Sequence, residues 1–259
     1  MKHGKFGLIG HPIEHSLSPA LFKAGYDGAY PYELIETADF EDAYQRFLDG
    51  YDGINVTAPF KEQAFAKAGI LSPECKTVGA TNLLVKTPEG IKAYNSDYLG
   101  VRMWLAERVC DLARTAKALI VGLGGAGKAA AAAAESLGMQ VIRMNRTIKD
   151  DKIRPLDDFR ECFREADIII YNIPTAIPQL DELTVEDFRG EDTTCRPKFI
   201  LEANYKNPSF DNGLIMKMKE ANPLAEYTSG KTWLLYQALT GYELFTGEKP
   251  DLGKMSDVL

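Results

Sequence analysis

A glycine-rich loop between an apolar segment and an alanine-rich segment constrains the fold of this sequence more than any other feature. Ala118–Val121 is short and apolar, Gly122–Gly127 reads G-L-G-G-A-G, and Lys128–Leu137 is mostly alanine. Glycines after a buried strand let the backbone approach a pyrophosphate, and the start of the following helix supplies free N–H groups. The pattern therefore predicts a dinucleotide-binding strand, loop and helix rather than an ordinary tight turn.

The segment after the next predicted strand indicates which dinucleotide is bound. The strand Val141–Met144 is followed by Asn145-Arg146-Thr147, and Lys149 stands two residues further on. An acidic residue at this place usually holds the ribose 2′-hydroxyl of NAD. A guanidinium would instead bind a 2′-phosphate, which an acidic group would repel. The sequence favours NADP over NAD on this ground; the alternative is that these cations form only a solvated loop.

Strands and helices alternate along the whole chain. Short apolar runs predict strands over 6–10, 32–36, 53–57, 118–121, 141–144, 167–171 and 199–201. Helices are predicted over 18–25, 39–48, 59–69, 97–110, 128–137, 211–221 and 230–245, with a polar tail after the last. Pro88-Glu89-Gly90 predicts a hairpin turn between strands over 80–86 and 91–94. The alternation is typical of α/β proteins with parallel sheets.

The charge and hydropathy of the chain limit the kinds of partner. The chain has 37 acidic and 30 basic residues, a formal net charge of −7. Nucleic-acid-binding proteins need a basic surface, so no nucleic-acid partner is expected. No apolar run approaches the ~18 residues of a membrane span. Residues 1–5 are basic but precede no apolar segment of the kind found in signal peptides, so we expect a cytoplasmic protein.

The cysteines and histidines do not form a metal-binding pattern. The four cysteines stand far apart in the sequence, and the three histidines all lie within the first fifteen positions. They are Cys75, Cys110, Cys162 and Cys195, and His3, His11 and His15. We therefore expect no Cys/His metal site, and reduced thiols rather than disulfides.

Polar side chains follow several of the predicted strands in the first hundred residues. They are Ser16 and Ser18 after the first strand, Thr57 and Lys61 after the third, and Thr81, Asn82, Asn95, Ser96 and Asp97 around the hairpin. Taken singly, Asp97 is typical of a helix N-cap and Lys61 of an exposed lysine. Ligands of open α/β sheets bind at the carboxyl ends of strands, so together these residues predict a binding site.

The same segments, in the same order, resemble the shikimate dehydrogenase family. The family shows S-x-S-P, N-V-T-x-P-F-K, G-A-x-N, N-T-D, G-x-G-G-A and N-R-T, then a tyrosine after a strand and a glutamine on the last long helix. This sequence reads Ser16-Leu-Ser18-Pro19, Asn55-Val-Thr57-Ala-Pro-Phe-Lys61, Gly79-Ala-Thr-Asn82, Asn95-Ser-Asp97, Gly122-Leu-Gly-Gly-Ala126, Asn145-Arg-Thr147, Tyr205 and Gln237. The most specific of these segments is N-V-T-x-P-F-K.

The resemblance implies reversible, NADP-linked reduction of 3-dehydroshikimate to shikimate. It implies that Ser16 and Ser18, assisted by Tyr205, bind the substrate carboxylate, that Thr57, Asn82 and Gln237 hold ring hydroxyls, and that Lys61 and Asp97 form the catalytic pair. The expected cofactor-binding residues are Gly122, Gly124, Gly125, Ala126, Asn145, Arg146, Thr147 and Lys149. No metal is implied, and His11 and His15 are left as loop or packing residues.

The chemistry suits these residue types independently of the resemblance. Reduction of a ketone requires a hydride on one face of the carbonyl and a proton on its oxygen. An ammonium such as that of Lys61 stabilises the developing negative charge and can donate the proton, while the Asp97 carboxylate orients it. The cofactor carries the hydride, so neither a metal nor a protein nucleophile is needed.

The order of the segments predicts two α/β domains. Residues 1–100 with 229–259 are expected to form a substrate-binding and catalytic domain, and residues 101–228 a Rossmann-like NADP-binding domain. The C-terminal helix would thus return to the first domain. The expected partners are small molecules, and the expected assembly is a monomer or a homodimer.

The sequence departs from the family pattern at three places. Phe22-Lys23 stands where the family often has His-Asn, and we expect these residues to serve helix packing. Ser96 replaces the threonine of N-T-D, which keeps the hydroxyl and loses a methyl group. Trp233 stands where the family has a methionine near the nicotinamide, so this larger side chain bears on the shape of the cofactor pocket.

Two other functions stay open at this point. One is a quinate dehydrogenase, or an enzyme of broader shikimate and quinate specificity. Ser16 favours shikimate, since related quinate-using enzymes often have a threonine in place of one of these hydroxyls. The other is a non-catalytic NADP-binding sensor, against which the presence of both Lys61 and Asp97 argues.

Overall fold

Two six-stranded sheets, each with its own helices, make up the fold. The structure is a computed structural model that describes residues 4–109, 115–189 and 196–259. The chain divides into two compact units, of which the first comprises Met1–Gly100 and Leu235–Leu259 and the second Val101–Leu234. The second segment of the first unit begins at Leu235, six residues after the position expected from the sequence.

The sheet of the first unit is mixed. Its strands are β1 (Phe6–Gly10), β2 (Tyr32–Glu36), β3 (Gly53–Val56), β4 (Ile70–Leu71), β5 (Leu83–Thr87) and β6 (Gly90–Tyr94), in the order β2-β1-β3-β5-β6-β4. β1 pairs in parallel with β2 and β3, whereas β5 is antiparallel to both β3 and β6. Because β5 runs in the opposite direction, its beginning lies at the same edge of the sheet as the ends of β1, β3 and β6.

The sheet of the second unit is wholly parallel. Its strands are β7 (Lys117–Val121), β8 (Gln140–Met144), β9 (Ile153–Arg154), β10 (Ile168–Tyr171), β11 (Lys198–Glu202) and β12 (Ala225–Thr228). They are ordered β12-β11-β10-β7-β8-β9, with every neighbouring pair parallel. Such an order, with the connections running outward in both directions from β7, is that of doubly wound dinucleotide-binding folds. The direction of connection reverses between β7 and β10, which is where such folds bind their ligand.

The helices begin where the sequence supplies a suitable first residue. They are α1 (Ser18–Gly25), α2 (Phe40–Gly50), α3 (Lys61–Lys67), α4 (Pro73–Val78), α5 (Ser96–Val109), α6 (Gly125–Ser136), α7 (Phe159–Glu165), α8 (Val185–Arg189), α9 (Asn212–Ala221), α10 (Gly230–Thr246) and α11 (Leu252–Ser256). Asp39, Asp211 and Asp251 precede α2, α9 and α11, and each side chain accepts a hydrogen bond from an N–H of the first turn. None of the helices in the described part of the chain has the length and hydrophobicity of a membrane-spanning segment.

The C-terminal half of α10 packs into the first unit. Phe22 is fully buried, and its ring lies 4.8 Å from that of Tyr242 and 6.4 Å from that of Phe245. Phe6 stacks on Phe245 with 5.0 Å between ring centres. Phe22 therefore packs in the core, as expected, whereas Lys23 is exposed and does not serve packing. Together with the two sheets, this packing confirms the predicted fold class, including the return of the last long helix to the first unit.

The sequence misplaced the start of one helix and missed several short elements of the fold. Helix α6 begins at Gly125, inside the glycine loop, and not at Lys128. The short strand β4 and helix α4 were not predicted, because two and six residues are too few for a periodic pattern. The residues after α10 were expected to form a polar tail, but they include α11, which Asp251 caps.

Two of the four cysteines lie in the described part of the chain. Cys75 and Cys162 are buried free thiols. Burial raises the pKa of Cys75 to about 11. Burial also raises the pKa of Cys162 above its usual range. A raised pKa keeps a thiol protonated and unreactive at neutral pH. The expectation of reduced thiols for Cys110 and Cys195, and the position of His3, concern residues outside the described ranges.

Candidate active site

An ion pair between Lys61 and Asp97 lies at the carboxyl edge of the first sheet. Lys61 is the first residue of α3, which follows β3, and Asp97 is the second residue of α5, which follows β6. The Nζ atom of Lys61 lies 2.6 Å from Oδ2 of Asp97. The side chains are 23% and 11% exposed, so the pair is shielded from bulk water but still accessible to a ligand. The arrangement holds an ammonium at a fixed point.

Asn95, and not Asp97, caps helix α5. The Oδ1 atom of Asn95 accepts a hydrogen bond from the N–H of Tyr98 at 3.0 Å, and its amide donates to the carbonyl oxygen of Ala80 at 3.0 Å. The helix begins at Ser96, so Asp97 stands in its first turn. The N-cap role that Asp97 would have on its own is therefore wrong, and its carboxylate is directed to Lys61.

Asn82, Ser96 and Gln237 form one buried hydrogen-bond network. Oδ1 of Asn82 accepts from the N–H of Ser96 at 2.7 Å, and its amide donates to the Ser96 hydroxyl at 3.0 Å. The Ser96 hydroxyl lies 3.1 Å from Oε1 of Gln237 and donates to it. Both Asn82 and Ser96 are buried. Ser96 therefore fixes the orientation of two amides that the sequence predicted as substrate ligands.

Two hydroxyls lie together at the start of α1. The Ser16 hydroxyl donates to that of Ser18 at 3.2 Å, and the N–H of Ser18 donates to the Ser16 oxygen at 3.3 Å. Below them, the Tyr242 hydroxyl donates to the carbonyl oxygen of Ser18 at 3.1 Å. Burial raises the pKa of Tyr242 and of Tyr32, so both phenols stay neutral donors. This anchors the serine segment to α10.

Thr57 completes the group at this edge. It follows β3, its N–H donates to the carbonyl oxygen of Ile9, and its methyl group packs against Gly10. The first unit thus brings together seven of the predicted substrate and catalytic residues at one sheet edge. They are Ser16, Ser18, Thr57, Lys61, Asn82, Asp97 and Gln237.

Tyr205 is the one predicted substrate residue that belongs to the second unit. It lies in the loop after β11, and its side chain is partly buried. Burial raises its pKa, so the hydroxyl is neutral and can donate a hydrogen bond.

The glycine loop has the shape that a pyrophosphate requires. Gly122 has φ +87°, a conformation that other residues rarely adopt, and its N–H donates to the carbonyl oxygen of Met144. A Cβ atom on Gly127 would lie 1.9 Å from the Gly122 oxygen. In front of Gly124 there is open space, since no atom lies within 4 Å of an ideal Cβ there. Helix α6 starts at Gly125 without a side-chain cap. These features fit a dinucleotide at the start of α6.

Asn145 joins the glycine loop to the basic segment that follows β8. Its amide donates to the carbonyl oxygen of Thr147 at 3.1 Å, and its Oδ1 lies 3.5 Å from the N–H of Leu123. Arg146, Thr147 and Lys149 are exposed. Within the described residues, no hydrogen bond or ion pair engages the head groups of Arg146 and Lys149. The head groups of Arg146 and Lys149 are therefore available to bind an anionic group such as a phosphate.

Two substitutions in the loop separate its effect on folding from its effect on binding. We expect Gly127→Ala to lower the free energy of unfolding by about 1–3 kcal/mol, because its methyl group overlaps the Gly122 carbonyl. Gly124→Ala should leave stability within about 0.5 kcal/mol. Chemical denaturation measures both values.

The same Gly124→Ala variant should weaken NADP binding about tenfold, because its methyl group fills the open space before the loop. Calorimetric titration with NADP measures the change. Unaltered NADP affinity of a stable Gly124→Ala variant would contradict the assignment of the loop.

The sequence placed Ser96 among the polar residues of the predicted binding site, but it did not predict what the Ser96 hydroxyl does there. Its role depends on side chains distant in the sequence, at Asn82 and Gln237.

His11 and His15 lie at the surface beside Glu36 and Glu14, with N···O distances of 3.5 and 3.2 Å. In the described ranges, no cluster of three or more histidine, cysteine or acidic side chains is suited to a metal ion.

Comparison with known proteins decides the family. A curated shikimate dehydrogenase (NADP(+)) from Maricaulis maris is 31% identical over 87% of this chain and 90% of its own length. The chain belongs to the shikimate dehydrogenase family. A second relative of that name, from Caldanaerobacter subterraneus subsp. tengcongensis, is 30% identical over 94% of this chain and 91% of its own length.

Domain families and solved structures agree with membership of the shikimate dehydrogenase family. Residues 8–84 match the shikimate dehydrogenase substrate binding domain, and residues 83–182 match the NAD binding domain of D-isomer specific 2-hydroxyacid dehydrogenases. Shikimate 5-dehydrogenase from Thermus thermophilus, solved in complex with NADP(H) and shikimate, superposes with a TM-score of 0.79. It is 25% identical, and the match covers 99% of this chain and 98% of that one.

Proposed function

We propose that this protein is an NADP-dependent oxidoreductase that reduces 3-dehydroshikimate reversibly to shikimate, a step in the biosynthesis of aromatic amino acids. The observation that carries the proposal is the Lys61–Asp97 ion pair, which stands at one sheet edge with the hydroxyl and amide groups of the first unit. The two relatives named shikimate dehydrogenase (NADP(+)) support it, since their matches cover 87% and 94% of this chain.

Lys61 is placed to manage the charge that develops on the substrate oxygen. NADPH, when bound, supplies the hydride for the carbonyl carbon. The Lys61 ammonium stabilises the oxygen as it becomes negative and donates a proton to it. Asp97, 2.6 Å from the ammonium, holds Lys61 directed to that point. In the reverse direction the same pair accepts the hydroxyl proton.

The remaining groups suit a small polyhydroxylated acid. The paired hydroxyls of Ser16 and Ser18 can donate to a carboxylate. Thr57, Asn82 and Gln237 offer the donors and acceptors that ring hydroxyls need, and the Ser96 network holds the two amides still. The part of Tyr205 in carboxylate binding rests on the family resemblance.

NADP is the proposed cofactor. The glycine loop and α6 would hold its pyrophosphate, through Gly122, Gly124, Gly125 and Ala126. Arg146 and Lys149, with Thr147 and Asn145, would hold the 2′-phosphate. We further propose that the first unit binds substrate, that the second binds NADP, and that the protein acts in the cytoplasm as a monomer or a homodimer.

One assay separates this proposal from its alternatives. The purified protein is supplied with NADPH and 3-dehydroshikimate, and with NADP or NAD and either shikimate or quinate. We expect NADPH oxidation in the first case, and NADP reduction with shikimate well above that with quinate. Comparable rates with quinate would favour the broader enzyme, and no rate with any pair would leave only the non-catalytic sensor.

Removal of the Ser96 hydroxyl should impair substrate binding more than turnover. In Ser96→Ala, the Asn82 amide loses an acceptor and Gln237 loses a donor in a buried site. We expect the KM for shikimate to rise about 3–10-fold, with a smaller change in kcat. Ser136→Ala is the control, because the Ser136 hydroxyl donates to the Ala133 carbonyl oxygen within α6 and has no hydrogen bond to another described element. An unchanged KM would show that the network does not position the substrate ligands.

A further inference from the structure

A fully buried carboxylate ends strand β11. Glu202 has 0% of its surface exposed, and within the described residues it forms no ion pair. Its oxygens accept hydrogen bonds from the N–H of Ser209 at 2.5 Å, the N–H of Phe210 at 3.4 Å and the hydroxyl of Tyr227 at 2.7 Å. A buried carboxylate is expensive unless donors surround it, so these three donors are what the fold supplies in place of a cation.

The three donors connect the carboxylate to two different parts of the second unit. Tyr227 lies on β12, the neighbouring strand, whereas Ser209 and Phe210 form the far end of the loop that leaves β11. Burial raises the pKa of Tyr227, and the hydrogen bond to Glu202 raises it further, so the phenol remains a donor. Glu202 therefore holds both ends of the segment 203–210 close together.

The near end of the same loop is held by Asn204. Its amide donates to the carbonyl oxygens of Pro174 at 2.8 Å and of Asn207 at 2.7 Å. Its Oδ1 accepts from the N–H groups of Lys206 and Asn207, at 3.1 and 3.2 Å. All the polar atoms of this side chain are thus engaged in shaping the loop.

Tyr205 stands between these two fixed points. It directly follows Asn204 and precedes the residues that bind Glu202. The backbone before it also packs closely against the start of α10, because a Cβ atom on Gly230 would lie 2.6 Å from the oxygen of Ala203. The contacts of Glu202, Asn204 and the Ala203 backbone leave Tyr205 little freedom of position. Restricting a binding side chain in this way preorganises it for its ligand.

We infer that Glu202 is a positioning residue for Tyr205, acting through the closure of the loop 203–210. This rests on the proposed function, in which Tyr205 helps to bind the substrate carboxylate. Glu202 touches neither substrate nor cofactor in this role. A carboxylate is required because both of its oxygens are acceptors, so all three hydrogen bonds form at once. An amide of the same size would place an N–H group against one of the donors.

The test is a double-mutant cycle on substrate binding. Glu202→Gln keeps the size of the side chain and should raise the KM for shikimate about 5–10-fold, with NADP affinity unchanged. Tyr205→Phe should raise it by a similar factor. In the Tyr205→Phe background, Glu202→Gln should change KM less than about twofold, because the side chain through which it acts has lost its hydroxyl. Glu226→Gln, whose partner is Arg108 at 2.8 Å, is the matched control.

The cycle distinguishes a positioning role of Glu202 from a general structural role. Equal factors for Glu202→Gln in both backgrounds, or no effect of Tyr205→Phe alone, would overturn the inference, since a general structural role gives additive effects. If Glu202→Gln does not fold, Tyr227→Phe removes one donor and should show the same non-additivity on a smaller scale. Turnover of shikimate by the wild-type protein is measured first. If the wild type shows no turnover, the proposed function fails. If it shows turnover and the cycle is additive, only the inference about Glu202 fails.

Discussion

Replacement of Lys61 by alanine is expected to lower kcat for shikimate oxidation by at least ~10²-fold, the usual scale for loss of a positioned proton donor. The ammonium is the charged donor beside Asp97 at 2.6 Å, and no other side chain of the segment Asn55–Lys61 carries a positive charge. Alanine removes both the electrostatic stabilisation of the substrate oxygen and the proton. Steady-state kinetics in both directions measures the change.

The affinity for NADP should be unaffected in the same variant, because the residues proposed to bind it belong to the other unit. Titration of the variant with NADP tests this. Lys67→Ala is the matched control, since Lys67 ends the same helix and pairs with Glu41 at the surface. An exposed pair of this kind contributes little, so the control should retain kcat within about twofold.

Near-normal turnover by Lys61→Ala would contradict the assignment of the proton donor. Asp97→Asn is the companion variant, because an asparagine can still accept a hydrogen bond but no longer balances the ammonium charge. We expect it to lose less activity than Lys61→Ala. If only Asp97→Asn were inactive, the carboxylate itself would have to exchange the proton.

The sequence predicted which residues meet at the first sheet edge, but not how they are held. Lys61 and Asp97 are far apart in the chain, yet each follows a strand, and the carboxyl ends of such strands meet. The Ser96 network was not predicted, because it depends on the relative rotation of α5 and α10, to which Ser96 and Gln237 belong. The pairing of Asn95 with Tyr98 instead of an Asp97 cap shows the same limit, since a shift of one residue decides which side chain caps a helix.

The burial of Glu202 could not be predicted from its residue type. A single glutamate at the end of a strand is usually exposed, so nothing in the sequence marked it. In the structure it is fully buried, because the loop 203–210 folds back and supplies its N–H groups. Such a site is created by the loop conformation, which local patterns do not determine.

The basic residues that follow β8 are expected to determine the preference for NADP over NAD. Arg146 and Lys149 are exposed and, among the residues that the structure describes, make no ion pair that would have to break on binding. Asn145 fixes the segment to the glycine loop through Leu123 and Thr147. A 2′-phosphate beside these cations gains charge-assisted hydrogen bonds that the 2′-hydroxyl of NAD cannot make to the same extent.

Arg146→Ala is therefore expected to lower the preference for NADP over NAD by about 10–100-fold, and addition of Lys149→Ala should lower it further. The loss should appear as a higher KM for NADP, whereas kcat and the KM for NAD stay nearly constant, because the 2′-phosphate that these groups are proposed to bind is at the other end of the cofactor from the nicotinamide. Lys152→Ala removes an exposed charge of the same loop region and serves as the control. Because exposed charges are screened, the difference between wild type and variant should shrink as salt increases. A preference for NADP that survives Arg146→Ala unchanged would mean that these cations are only a solvated part of the loop.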